Sequence, residues 1–229
     1  MRHKLTTLAL AATALAAPAL AETRTFDVPD FDSIDVSAGI EVIYETGVSR
    51  SVDVENKKGD FSDIIVEVDG DDLVLKRKKR MNWGGKREKY TVTVGVQSLE
   101  NIEASSGSSV EGSGLSGNDA SIDASSGARV VATNISVGDI DIESSSGSSI
   151  DASGTCSEID AEASSGASID ASDLECISII ADVSSGASIR AYASESVDAE
   201  ASSGGSVRVS GGATNVTIDK SSGGSVSVG

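Results

Sequence analysis

Carboxylate side chains recur at a nearly constant interval from residue 103 onwards. The seven members of this acidic column are Glu103, Asp123, Glu143, Glu162, Asp182, Glu200 and Asp219. If the segments between them stack, the carboxylates come close together, and like charges that face each other destabilise a sheet. A bound calcium ion, which prefers hard oxygen ligands, would relieve that repulsion. The column therefore predicts either a solvated face that hinders aggregation or a calcium site with Glu143, Glu162, Asp182 and Glu200 as candidate ligands.

Positive charge is concentrated in one short segment. Eight of the 18 basic residues lie between Lys76 and Lys89, and the same segment contains the sequence's only tryptophan. An exposed tryptophan in a basic, glycine-containing loop is a typical contact residue. We therefore predict a contact loop for an anionic glycan, lipopolysaccharide or another envelope protein, formed by Lys78, Lys79, Arg80, Trp83, Lys86 and Arg87. The simpler alternative is a charged hairpin whose side chains are only solvated.

Groups suited to catalysis are scarce. The single histidine, His3, lies in the predicted N-terminal leader, and no nucleophile motif is present. Asp170, Arg190 and Arg208 follow one another at about the same interval as the carboxylates, which would place these charges in neighbouring repeats. Aromatic residues, which form the sugar platforms of polysaccharide-cleaving enzymes, make up only 3% of the chain. A non-enzymatic interaction module is therefore the principal hypothesis, and a polysaccharide-active lyase or hydrolase is the alternative.

A sequence repeat positions these residues. The tripeptide Ser-Ser-Gly occurs seven times, beginning at Ser105, Ser125, Ser145, Ser164, Ser184, Ser202 and Ser221. The steps between these positions are nearly equal. A period of about 20 residues is typical of a solenoid, in which each coil stacks on the last. Positions are numbered from the first serine of the tripeptide, position 0, so that the acidic column occupies position −2.

Apolar and polar residues alternate on both sides of the tripeptide, which predicts strands with one buried face. In one coil, Ile159, Ala161 and Ala163 alternate with Asp160 and Glu162. Position +5 is β-branched in every coil, with Val110, Val130, Ile150, Ile169, Ile189, Val207 and Val226. Helical spacing is absent. We therefore predict an all-β protein, a parallel β-helix (β-solenoid) of about 20 residues per coil, right-handed because parallel crossovers almost always are.

Two cysteines occupy the same position in neighbouring coils. Cys156 and Cys176 each lie eight residues before the next Ser-Ser-Gly. Stacked strands are about 4.8 Å apart, and this separation is within the range of Cα distances that a disulfide bridges. The repeat therefore predicts a disulfide between these two cysteines.

The N-terminal part of the chain, as far as residue 104, is less regular. Residues 1–21 have a basic start, an apolar run and a small-residue end, as in a signal peptide. We therefore expect an exported protein, periplasmic or secreted, whose mature chain has no transmembrane segment; export also argues against a nucleic-acid partner. Residues 22–229 are predicted to form one domain, with irregular coils and a hairpin in 22–104 and regular coils in 105–229; a separable N-terminal domain is the alternative. Asp69-Gly70-Asp71 marks the hairpin, which we expect to cap the first coils.

Several of these motifs together resemble a known family. Residues 31–42 have the pattern Phe-x-x-Ile-x-Val-Ser-x-Gly-Ile-x-Val, in which Ser37-Ala38-Gly39 takes the place of the tripeptide. The hairpin of residues 64–75 and the Ala-Ser-Ser-Gly coils follow. This combination resembles the head GIN domain of bacterial auto-transporter adhesins. The resemblance implies a β-solenoid at or outside the cell envelope, and it brings no catalytic residues with it.

The last coil is expected to expose an apolar cross-section. Val226 and Val228 continue the inward columns, and unpaired strand edges invite pairing with another chain. Residues 105–229 contain 18 acidic and 4 basic side chains, whereas most of the basic residues precede them. These features predict a homo-oligomer formed by head-to-tail or end-to-end contact. A monomer with a frayed last coil is the alternative.

Overall fold

The structure is a computed structural model that describes residues 21–79 and 88–229, and all its regular elements are β-strands. No helix in the described residues is long and apolar enough to cross a membrane. The predicted signal peptide, apart from Ala21, lies outside these residues. The strands are β1 (Glu22–Thr25), β2 (Ser33–Val36), β3 (Glu41–Thr46), β4 (Ser51–Asn56), β5 (Ile64–Asp69), β6 (Asp72–Arg77), β7 (Tyr90–Val96), β8 (Asn101–Ala104), β9 (Ser109–Ser113), β10 (Ser116–Ala124), β11 (Arg129–Ser144), β12 (Ser149–Ala163), β13 (Ser168–Val183), β14 (Ser188–Ala201), β15 (Ser206–Ser210), β16 (Asn215–Lys220) and β17 (Ser225–Val228).

Parallel stacking of the repeats builds the solenoid. β10 pairs with β11, β11 with β12, β12 with β13 and β13 with β14, all in parallel. Directly opposed residues are about one repeat apart, as where Ile150 faces Ile169 and Ile169 faces Ile189. The predicted β-solenoid and its coil length are therefore confirmed. Its right-handed winding stays a prediction.

The core consists of columns of small and β-branched side chains. At position +5, the six residues from Val110 to Val207 are at most 1% exposed, and Val226 in the last coil is partly buried. Ile159, Ala161 and Ala163 are also buried, whereas the intervening acidic residues point outwards. The period-2 pattern thus predicted correctly which face of each strand is inside.

The Ser-Ser-Gly corner is a tight turn with two residues in the left-handed region. In one coil φ is 54° at Ser165 and 71° at Gly166, and the Ala167 N–H donates to the Ser164 carbonyl at 3.1 Å. Two consecutive positive φ angles are the mark of a type I′ turn. The Gly166 N–H also donates to the Ser185 carbonyl of the next coil at 3.1 Å. The sequence predicted the role of the glycine but not the positive φ of the serine before it.

At the N-terminal end, the order of the coils in space differs from their order in the chain. β2 lies between β6 and β8, and β3 lies between β7 and β9, all in parallel. The coil formed by β6 and β7 is therefore the terminal one, and the coil formed by β2 and β3 is inserted beneath it. Ser37-Ala38-Gly39 makes the corner of the inserted coil, with φ of 65° at Ala38 and 70° at Gly39.

Antiparallel strands cover the terminal coil. β5 pairs with β6 in the predicted hairpin, β4 pairs with β7, and β1 pairs with β4. These strands cap the N-terminal end of the solenoid, as expected for the hairpin region. All 17 strands belong to one hydrogen-bonded sheet, and the domain boundaries proposed from the sequence stay predictions.

Candidate functional site

The acidic column is continuous through the solenoid. Each member lies directly opposite the next, as where Glu143 faces Glu162 and Glu162 faces Asp182. The column also has an eighth member that the sequence analysis missed, because Asp35 of the inserted coil faces Glu103. Its signal was present, since Asp35 precedes Ser37-Ala38-Gly39 by the same two residues that separate the other carboxylates from their tripeptides.

A polar groove of about 500 Å³ follows this column along the solenoid. One side presents carboxylates at position −2 and the other presents hydroxyls at position 0. Its polar lining includes Glu103, Asp123, Glu143, Glu162, Asp182, Ser125, Ser145, Ser164 and Ser184. A smaller depression of about 180 Å³ continues it between Asp182 and Ser221. Rows of acceptors repeating about every 4.8 Å suit hydrogen-bond donors and cations.

Burial and mutual repulsion raise the pKa values in the column. Burial, followed by the charges of Glu143 and Glu103, raises the pKa of Asp123 to about 6. Burial is also the largest cause of the raised pKa values of Asp35 and Glu162. Within residues 21–79 and 88–229, however, no three acidic, histidine or cysteine side chains are grouped so as to hold a metal ion. The predicted calcium site, with Glu143, Glu162, Asp182 and Glu200, therefore stays a prediction.

The basic contact loop joins β6 to β7 of the terminal coil. Leu75 faces Val36, and Val92 faces Val42, so these residues hold equivalent places in the two coils. Five residues separate Val36 from Val42, whereas sixteen separate Leu75 from Val92. The connection from β6 to β7 is thus eleven residues longer than the equivalent connection through Ser37-Ala38-Gly39 in the inserted coil.

The structure shows only the two ends of this contact loop. Lys78 and Lys79 are exposed where the loop leaves β6, and Lys89 is exposed where it returns to β7. The predicted contact residues Arg80, Trp83, Lys86 and Arg87 lie outside the described residues. The loop that joins β4 to β5 lies beside the returning end, because Lys58 Nζ is 2.7 Å from Glu88 Oε1. Lys57 in that loop is also exposed.

Arg77, which belongs to the same basic segment, has a structural role. Its side chain is 7% exposed, and its Nη1 lies 3.3 Å from Asp63 Oδ2. Its Nε donates to the Ala38 carbonyl at 2.9 Å, and its guanidinium lies over the Tyr90 ring, 4.7 Å from the centroid. The Tyr90 hydroxyl in turn donates to Asp63. Arg77 therefore ties the terminal coil to the corner of the inserted coil, a role that the sequence did not indicate.

The charges considered for catalysis form a surface ion pair. Asp170 faces Arg190, which faces Arg208, and Arg190 Nη1 is 3.2 Å from Asp170 Oδ2. Burial raises the pKa of Asp170, but hydrogen bonds from Ser172 and Arg190 outweigh it, so the pKa lies below its ordinary value. A general acid in glycoside hydrolysis needs a raised pKa. Asp170 is therefore poorly suited to that role.

The structure contains the predicted disulfide. Cys156 of β12 lies directly opposite Cys176 of β13, and the two are bonded with a Cα–Cα distance of 4.6 Å. Both side chains are buried in the core, so the disulfide joins two adjacent coils.

Residues 30–213 match the family described as "Putative auto-transporter adhesin, head GIN domain". The chain belongs to this family. No curated protein matches its sequence. Neither the family's description nor the names of the similar structures indicate an enzyme. The adhesin-like character of the family indicates an exported or surface protein.

Several crystal structures share the fold of this head GIN domain at low sequence identity, among them three from Bacteroides and Parabacteroides. A "putative adhesin" from Bacteroides fragilis has a TM-score of 0.80 and 20% identity, covering 91% of this chain and 96% of that chain. A "putative lipid binding protein" from Parabacteroides distasonis has a TM-score of 0.72 and 16% identity, with coverages of 91% and 96%. A "putative adhesin" from Parabacteroides merdae has a TM-score of 0.67 and 14% identity, with the same coverages.

Proposed function

We propose that this head GIN domain is an exported, non-enzymatic interaction module of the cell envelope that binds anionic glycans through its basic end. The basic end comprises the exposed residues Lys57, Lys58, Lys78, Lys79 and Lys89 together with the contact loop. The observation that carries the proposal is the exposure of Lys78, Lys79 and Lys89 where β6 ends and β7 begins on the terminal coil, with Lys58 beside them through its contact with Glu88.

The distribution of charge supports binding at this end. Residues 22–104 contain 12 basic and 18 acidic side chains, whereas residues 105–229 contain 4 and 18. The acidic column runs along the flank of the coils, so an anionic polymer is repelled from that flank. The electrostatic field of this charge distribution steers an anionic ligand towards the basic end, and salt weakens the attraction.

Lipopolysaccharide is the first ligand to test. It combines anionic sugars with a lipid, and one of the similar structures is named a lipid-binding protein. Comparing intact lipopolysaccharide with its delipidated polysaccharide, and with an acidic glycan that has no lipid, separates the two contributions. Equal binding of all three supports glycan recognition, whereas binding of the intact molecule alone would contradict it.

The test uses two matched pairs of charge reversals. Lys78→Glu with Lys79→Glu changes the basic end, and Arg129→Glu with Arg190→Glu changes the same number of charges on the flank of the coils. Binding is measured by biolayer interferometry at two salt concentrations. We expect the first pair to weaken binding at least about tenfold, which corresponds to about 1.4 kcal/mol, and the second pair to change it little. Equal weakening by both pairs would show that only net charge matters.

The enzyme alternative is tested with the same ligands. We expect no new reducing ends and no unsaturated products after prolonged incubation of the protein with the glycans that it binds. Either product would contradict a non-enzymatic role, and loss of that activity in Asp170→Asn would identify Asp170 as part of the site.

A further inference from the structure

In the part of the chain that the structure describes, the last coil exposes apolar side chains beside free strand edges. Within the described residues, β16 pairs only with β14 and β17 only with β15, so each has one free edge. Val216 and Ile218 are each 40% exposed, although Val197 and Ala199, which they face in the preceding coil, are buried. The apolar cross-section expected from the sequence is therefore present. Such edges are templates for pairing with another chain.

Charge does not oppose the contact of two such ends. Residues 206–229 contain two basic residues, Arg208 and Lys220, and one acidic residue, Asp219, whereas the whole chain has a formal charge of −18. The flanks of two copies repel each other through their acidic columns. The last coil holds only one member of that column, Asp219, so two such ends can approach with little of that repulsion.

The sequence of β16 suits antiparallel pairing with itself. A two-fold axis through Thr217 places Val216 opposite Ile218 of the second copy, so that aliphatic side chains meet on the inner face. On the outer face, Thr217 lies opposite its own counterpart and Asp219 lies opposite Asn215. No like charges face each other in this register, and Thr–Thr and β-branched pairs stabilise neighbouring strands.

We propose that the free edge of β16 binds the same edge of a second copy, forming a two-fold symmetric, tail-to-tail dimer. An interface of this kind uses one surface twice and closes after two copies. The head-to-tail arrangement that the sequence also suggested would pair β16 with the capping strand β5, whose exposed Glu67 and Asp69 are charged edge residues of the kind that hinders strand pairing. In the tail-to-tail dimer, the capped ends lie at opposite poles.

The register of this dimer is tested by charge exchange at its axis. Thr217→Lys and Thr217→Glu each place like charges opposite each other, whereas an equimolar mixture of the two variants places opposite charges there. Sedimentation velocity at several concentrations should show a monomer–dimer equilibrium for the unchanged protein, association at least about tenfold weaker for each variant, and recovery in the mixture. Ser188→Lys, an exposed change on an inner coil, should leave the dimer intact. A monomer at all concentrations, or no recovery in the mixture, would overturn the proposal.

A second measurement does not depend on charge. In Thr217→Cys, the introduced cysteine is the only free thiol among the described residues, because Cys156 and Cys176 are bonded to each other. At the two-fold axis, the opposed Cβ atoms of residue 217 are about 5 Å apart. Mild oxidation should therefore cross-link two copies through residue 217, as seen by non-reducing electrophoresis, whereas Ser188→Cys should not. Melting temperatures close to that of the unchanged protein show that both variants are folded. A folded Thr217→Cys variant that forms no cross-link would exclude this register.

Discussion

Asp123 faces Glu143 on one neighbouring coil and Glu103 on the other, so its carboxylate lies between two others in the acidic column. Burial, with the charges of Glu143 and Glu103, raises its pKa to about 6, well above the ordinary value of 3.8. The folded state therefore disfavours the ionised form of Asp123, and the free energy of unfolding depends on pH.

Replacing Asp123 by Asn should stabilise the protein near neutral pH. A carboxyl with a higher pKa in the folded state binds its proton more tightly when folded, so the stabilisation is complete below about pH 4 and is lost as the pH rises through about 6. We expect Asp123→Asn to raise the free energy of unfolding by about 1 kcal/mol at about pH 7.5, allowing for solvent screening, and to lose this advantage at about pH 4.5. Urea denaturation at both pH values measures the difference. Asp173→Asn, an exposed control away from the column, should show no such gain.

Calcium offers an independent test of the acidic column. If Glu143, Glu162, Asp182 and Glu200 bind calcium, millimolar calcium should raise the melting temperature, because a ligand of the folded state stabilises it by mass action. Magnesium at the same ionic strength is the control. An equal rise with both ions would be screening of the column and would exclude a calcium-specific site.

Removing the disulfide should weaken the middle of the solenoid. Cys156 and Cys176 close a loop of about 20 residues, for which the chain-entropy account gives about 3 kcal/mol. We expect the double variant Cys156→Ser, Cys176→Ser to unfold at correspondingly lower urea concentration. A reductant should also lower the urea concentration at which the unchanged protein unfolds, whereas it should not affect unfolding of the double variant. Mass spectrometry that found two free thiols in unreduced exported protein would contradict the pairing.

Arg77 and Lys76 are adjacent in the sequence, but replacing them should lower the free energy of unfolding by different amounts. Arg77→Ala removes the guanidinium that pairs with the buried Asp63 and donates to the Ala38 carbonyl, and breaking a buried pair typically costs about 3–5 kcal/mol. Lys76 pairs with Glu67 at 2.7 Å on the exposed face of the hairpin, so Lys76→Ala should change the stability little. Thermal melting followed by circular dichroism distinguishes the two. Similar losses for both variants would show that the Arg77 network contributes little.

The corner turn predicts opposite effects of glycine at two neighbouring serines. Glycine raises the entropy of the unfolded chain equally at Ser164 and Ser165, but only Ser165 has a positive φ, which costs a non-glycine residue about 1 kcal/mol. We expect Ser164→Gly to destabilise the protein and Ser165→Gly to be neutral or stabilising. Equal losses at both positions, measured by urea denaturation, would show that the left-handed serine carries no strain.

The repeat determined most of the regular coils by itself. Coils of nearly equal length have one register in which the β-branched residues at position +5 are all buried, because a shift by one residue turns every side chain to the other face. For the same reason the pairing of Cys156 with Cys176 followed from their positions in the repeat. The positive φ of the corner serines did not, because serine seldom adopts that conformation.

Only the tertiary structure decided the order of the coils at the N-terminal end. Alternating hydrophobicity shows which face of a strand is buried but not which distant strand lies beside it, and parallel pairing joins strands that are far apart in the chain. β2 pairs with β6 and β8 rather than with its neighbours in the sequence. That insertion brings Asp35 into the acidic column and places the corner at Ala38 against Arg77. The local sequences around Asp35 and Arg77 indicate only exposed charge, and the residues that they contact could be identified only from the tertiary structure.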